Sequence, residues 1–167
     1  QFLQVSDLHN RAFVCRNDGQ KQHIRLISKN DNGLTDEGVL TDALKDITGN
    51  VFDASQAILH ENERKMLFVK NTQVRDDKTK VYCMDLERQK VIQEWDTKDV
   101  PIFDIMSSRK DNQRTGEQCF LGTNNRTLMT LDPRMQNSQT GQMAESLTYA
   151  TNIGINVGAT DKRGHIA

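Results

Sequence analysis

Among the residues of this chain that could ligate a metal or act as nucleophiles, the four histidines and three cysteines assemble neither kind of site by their spacing. His9, His23, His60 and His165 are scattered, with no pair at ligand spacing. Cys15, Cys83 and Cys119 form no CxxC pair. Each lies inside an apolar run, the setting of a buried reduced thiol rather than of a disulfide framework. No Ser or Cys stands in a nucleophile-elbow context, and no glycine loop of the phosphate-cradling type occurs. The polar stretch KNDNGLTDEG, residues 29–38, resembles a calcium loop in spacing alone: it has no series of carboxylates at alternate positions and no closing Glu. The reading is of no catalytic, cofactor or metal residues.

Asp85 and Asp132 recur at corresponding places, each directly after an apolar run. Two carboxylates could share acid–base work, but a recurring Asp after a strand is better read as a turn-former that bonds its own backbone. The recurrence itself puts the two in separate repeats. His60 closes another run and reads as a satisfied turn histidine. Asn125-Arg126-Thr127 is a formal glycosylation acceptor, without meaning in the cytoplasmic chain expected here.

The elements that carry these residues are short. The clearest is KVYCMDLERQKVIQEW, Lys80 to Trp95, where β-branched and aromatic runs flank a polar turn in the manner of an antiparallel hairpin. Val91 and Trp95 are expected on one face of it, with Gln93 between them. An earlier hairpin spans residues 11–28: Ala12 to Cys15, a turn at Asn17-Asp18-Gly19 that tolerates positive φ, then Ile24 to Ile27. Residues 29–38 read as a polar loop. Val39, Leu40, Ala43, Leu44 and Ile47 then recur at helical spacing, which suggests a short amphipathic helix between Gly38 and Gly49.

Composition narrows the class. The hydrophobic share is 35% and the aromatic share 5%, lean for a self-sufficient globule, and Asn and Gln are abundant, which favours thin strands and loops. A net charge of −1 offers no footprint for nucleic acid or an anionic membrane. No run approaches the ~20 apolar residues of a spanning helix, and no secretory leader opens the chain. The chain starts at Gln1 without methionine and stops at Ala167 within an apolar run, as expected of a cytoplasmic fragment of something larger.

From residue 57 the apolar runs become regular: Ala57 to Leu59, Met66 to Val69, Val81 to Met84 and Val91 to Trp95. The series restarts with Pro101 to Met106, Cys119 to Gly122 and Leu128 to Leu131, and again at Ile153 to Ala159. The interval is about 45 to 50 residues, the period of four-stranded propeller blades. A β-sandwich would need no such period, and alternating strands and helices are set aside for want of crossover helices. Trp95-Asp96 mimics the WD dipeptide, but that signature closes a third strand and here the pair closes the fourth. Trp95 reads instead as an anchor between neighbouring blades.

From Phe52 onward the chain resembles the C-terminal propeller-like domain of the vacuolar import and degradation protein twenty-seven family. The residues that carry the resemblance are Phe52 to His60 (FDASQAILH), MDLERQKVIQEW, Phe120-Leu121-Gly122, Leu131-Asp132-Pro133-Arg134, Tyr149-Ala150-Thr151 and Gly164 to Ala167, in the family's order and spacing. Asn10 to Val14 match more weakly. Two departures stand out. Gln89 occupies the place of the family's hairpin glycine, which would give that turn another form, and Ala54 replaces a proline. By the same resemblance residues 39–44 close the first blade as an outer strand, against the helical spacing, and the strand is preferred.

The resemblance implies an all-β fold, a partial WD-repeat-like β-propeller of about three and a half to four four-stranded antiparallel blades. Residues 1–50 are expected to hold a first partial blade and polar loop, 51–99 a complete blade, 100–150 a blade with loop insertions, and 151–167 the start of a truncated one. Phe52, His60, Asp85, Trp95, Asp132 and Arg134 are the expected structural residues. The implied function is a non-enzymatic protein-interaction scaffold linked to vacuolar import and degradation of cytoplasmic proteins. Its partners are other proteins and the remaining blades of the same longer chain, with no nucleic acid and no membrane insertion. The rival is a hydrolase working in a propeller's central channel. It would need polar groups converging on first strands, where Asp104 is the one carboxylate.

Overall fold

The structure, a computed structural model, describes residues 2–6, 9–19, 21–60, 64–70, 80–96, 102–107, 119–123, 127–131 and 146–148. They build three four-stranded sheets. β1 (Phe2–Ser6), β2 (Arg11–Asn17), β3 (Gln22–Asn30) and β4 (Gly33–Thr41) form the first. β5 (Ala54–His60), β6 (Lys65–Lys70), β7 (Lys80–Asp85) and β8 (Lys90–Asp96) form the second. β9 (Ile102–Ser107), β10 (Cys119–Thr123), β11 (Thr127–Leu131) and β12 (Ser146–Thr148) form the third. Every pairing is antiparallel between strands consecutive in the chain. The sheets meet through their first strands, β1 against β5 and β5 against β9. The fold is all-β, a partial propeller. The expected start of a further blade at 151–167 lies outside the described residues.

The middle sheet explains why its strands read as unbroken apolar runs. Met66, Phe68, Tyr82 and Met84 face the first sheet and pack with its Phe13 and Ile24. Leu67, Val69, Val81 and Cys83 face the other way and pack with Ile102, Ile105, Cys119 and Leu131 of the third sheet. A strand covered on both faces has no solvent side, so the apolar–polar alternation disappears. An aromatic chain crosses the first junction: Phe2 lies 6.1 Å from Phe68, Phe68 lies 6.3 Å from Phe52, and Phe52 stacks on Tyr82 at 4.1 Å.

The structure bears on four local expectations. Residues 29–38 are not a loop: β3 and β4 run through them and turn at Asp31-Asn32, where Gly33 takes φ 120°. The outer strand preferred for residues 39–44 is present as far as Thr41, and the helical spacing over 39–47 forms no helix. Val39 and Thr41 pair with Arg25 and Ile24 in the sheet, and the apolar residues at helical spacing then part company, Leu44 being fully buried and Ile47 56% exposed. Val91 and Trp95 do not share a face. A bulge opposite Cys83 and Met84 inserts one residue, so Val91 packs on the first core cluster and Trp95 in the second. Gln89, in the turn between β7 and β8, adopts φ 55°, a left-handed conformation that glycine enters readily.

Candidate functional site

A buried polar side chain bridges the first two sheets beside their shared apolar cluster. Gln22, at the start of β3, is 5% exposed. Its Nε2 donates to the carbonyl of Ala54 at 3.0 Å, and its Oε1 accepts from the Ala54 N–H at 2.7 Å. The amide thus imitates a neighbouring strand for the first residue of β5. Cys15 Sγ donates to the same Oε1 at 3.6 Å, and burial, reinforced by Asp53, pushes the thiol up to about 11. Gln22 also fixes the linker: its carbonyl accepts from Leu44 N at 3.3 Å, and Leu44's carbonyl accepts from Phe52 N at 3.0 Å. Nothing in the sequence marked Gln22. A glutamine beginning a strand reads as surface polar until its partner, 32 residues away in the chain, is known.

That linker shapes an open groove of about 930 Å³ between the two sheets. Its walls are Val39 and Leu40 of β4, Ile47 and Val51 of the linker, and Val91 of β8, with Met84 also lining it. Val39, Ile47 and Val51 are 46%, 56% and 55% exposed, so the groove presents aliphatic surface to solvent. Asp46 builds the linker's turn: its Oδ1 accepts from Thr48 N, Thr48 Oγ1 and Asn50 N at 2.7 to 2.9 Å. Burial pushes this carboxyl up, but the hydrogen bonds from Thr48 and Asn50 outweigh it and hold it below its ordinary value. Lys21, Lys45 and Lys90 also line the groove, and none has a side-chain partner among the described residues.

The expected structural residues are placed as follows. Phe52 is buried in the first cluster, against Tyr82 and Phe68. His60, at the end of β5, is 3% exposed. Asp85 Oδ1 accepts from the backbone N–H groups of Glu87 and Arg88 at 3.0 and 2.9 Å, inside the β7–β8 turn. Trp95 is 2% exposed, between the second and third sheets. Asp132 and Arg134 lie outside the described residues, as does His165. The three thiols are buried and form no disulfide. His60 is the one described titratable side chain on the first strands where the sheets meet; the side chain of Asp104 lies outside the described residues. Among the described residues no helix is long and apolar enough to cross a membrane.

A family model, the VID27 C-terminal WD40-like domain, matches residues 1–167. This chain belongs to the VID27 family. The vacuolar import and degradation protein 27 of Saccharomyces cerevisiae is 27% identical over 168 residues, covering 99% of this chain and 20% of the relative. The protein of the same name from Schizosaccharomyces pombe is 29% identical over 169 residues, again 99% of this chain and 20% of the relative. The chain therefore spans about a fifth of the length of these VID27 relatives. Among solved structures, a Kuenenia stuttgartiensis hydrazine synthase superposes with a TM-score of 0.64 at 10% identity, over 97% of this chain and 47% of that one. At that identity the likeness is one of fold alone. The partial propeller is thus a WD40-like one.

Proposed function

We propose that this chain is a non-enzymatic protein-interaction module of a longer cytoplasmic protein with a part in vacuolar import and degradation. The observation that carries the reading is the groove between the first two sheets, where exposed aliphatic side chains gather with lysines that have no side-chain partner among the described residues. Such a surface suits a polypeptide partner, since apolar contact supplies affinity and the surrounding charge supplies register. The loops and outer strands of stacked sheets are free to vary around a rigid core, which is how such scaffolds acquire partners. The link to vacuolar import and degradation is carried by the names of the relatives.

Cross-linking in living yeast tests this. The tagged chain is expected to capture a reproducible set of proteins that includes components of cytoplasmic protein degradation. A set no different from that of the tag alone overturns the reading. So does turnover of hydrolase substrates by the purified chain at rates that survive removal of contaminants.

A further inference from the structure

The groove's charges are unevenly engaged. Asp46 commits its Oδ1 to Thr48 and Asn50 within its own turn, while the groove's other carboxylate, exposed Asp42, has no side-chain or backbone partner among the described residues. Three ammonium groups, on Lys21, Lys45 and Lys90, stand over the same opening without a counter-ion among the described residues. They come from three separate elements: the β2–β3 turn, the linker and the start of β8. Between them lie Val39, Ile47 and Val51, three of the seven exposed large hydrophobic residues described in the chain.

The groove also runs beside an open strand. Among the described residues β4 is the outermost strand of its sheet, paired with β3 alone. Val39, Leu40 and Thr41 at the end of this strand line the groove, and the strand's outer backbone groups have no strand partner among the described residues. A strand edge beside aliphatic walls is the arrangement that accepts an extended peptide: backbone hydrogen bonds along the edge, alternate side chains down into the apolar walls. Side chains of the other parity then point toward the rim, where the lysines are. About 930 Å³ is room for a short segment rather than a folded domain.

We propose that the groove between the first two sheets binds an extended peptide segment of a partner protein in which aliphatic side chains alternate with carboxylates. This rests on the protein-interaction reading and adds the chemistry of the partner. The aliphatic side chains bury Val39, Ile47 and Val51, and the carboxylates engage Lys45 and Lys90, with Lys21 at the far rim. A basic segment would meet three like charges and is rejected.

The probe is a fluorescein-labelled synthetic peptide of alternating leucine and glutamate, with a leucine–lysine peptide of the same length for comparison. Binding is followed by fluorescence anisotropy, with light scattering on each sample. The leucine–glutamate peptide is expected to saturate and to weaken as salt rises, and the leucine–lysine peptide to bind at least about tenfold more weakly. The paired substitutions Lys45→Glu and Lys90→Glu are expected to lower affinity about tenfold or more, since each reverses a rim charge. Ile47→Ser should weaken binding without altering its salt dependence. Lys29→Glu, on the opposite end of β3, should leave it unchanged.

Equal affinity in the doubly reversed variant and the parent overturns the proposal, as does tighter binding of the leucine–lysine peptide. A dimer that dissociates on the Lys45→Glu and Lys90→Glu changes would assign the groove to a second copy and also overturn it. The in-cell partner set separates this failure from failure of the broader reading. A set unchanged by the groove variant leaves the chain an interaction module with its site elsewhere, and an empty set removes both.

Discussion

Replacing Gln22 by Glu exchanges the amide nitrogen for an oxygen at a site that is 5% exposed. In the parent, Nε2 donates to the carbonyl of Ala54 and Oε1 accepts from the Ala54 N–H. A protonated glutamic acid reproduces both bonds, its hydroxyl donating and its carbonyl accepting. A carboxylate reproduces only one and sets a buried negative charge against the Ala54 carbonyl. Burial and that lost donor both raise the folded pKa of the new side chain above the ordinary Glu value of about 4.3. A group with a raised folded pKa gives its full stabilisation below the unfolded pKa and loses it as pH rises through the folded one.

The Gln22→Glu variant should therefore be close to the parent at about pH 4 and deficient at neutrality. An orphaned buried acceptor costs about 1–3 kcal/mol, and a pKa raised by about two units corresponds to about 2.7 kcal/mol. Both views describe the same deficit, about 3 kcal/mol, against the roughly 5–15 kcal/mol of a whole domain. The assay is urea unfolding of variant and parent over a series of pH values, followed by circular dichroism and by the fluorescence of Trp95, the single tryptophan. Comparing the two at each pH removes the titration of every other group. A variant as stable as the parent at neutral pH, or a deficit that does not shrink toward acid, would refute the argument that Gln22 staples the sheets.

Trp95→Ala, which empties a site 2% exposed between the second and third sheets, should cost about 3–5 kcal/mol in the same unfolding assay, and a loss under about 1 kcal/mol would contradict the anchoring role. Gln89→Gly relieves a left-handed residue at φ 55°; the roughly 1 kcal/mol of relief exceeds the extra entropy of glycine in the unfolded chain, for a net gain of about 0.5 kcal/mol in urea midpoint terms. The Asp46 carboxyl is held below its ordinary value of 3.8 by Thr48 and Asn50 against the effect of burial. Its contribution is thus present above that value and lost as pH falls through the lower folded one. Amide-exchange protection of the 46–50 turn should drop in Asp46→Ala at neutral pH and drop in the parent on strong acidification; protection indifferent to the substitution would exclude this turn chemistry.

The residues themselves determined the class of fold. Runs such as Met66–Val69 and Val81–Met84 read as strands because they are short, bounded by polar turns and carry β-branched and aromatic residues. Their recurrence at one interval determined the repeat, and the Asp85 turn is local chemistry, closed within three residues. What stayed hidden depended on partners distant in the chain. The strand at Gly33–Thr41 is polar and exposed, and it exists because β3 supplies its hydrogen bonds. β12 is three residues long and is a strand only beside β11. The opposite facing of Val91 and Trp95 follows from a bulge that no spacing within β8 records. Gln22 and the groove it frames belong to the same kind. Their chemistry arises where two sheets meet, and periodicity along one strand carries no information about what a second sheet brings against it.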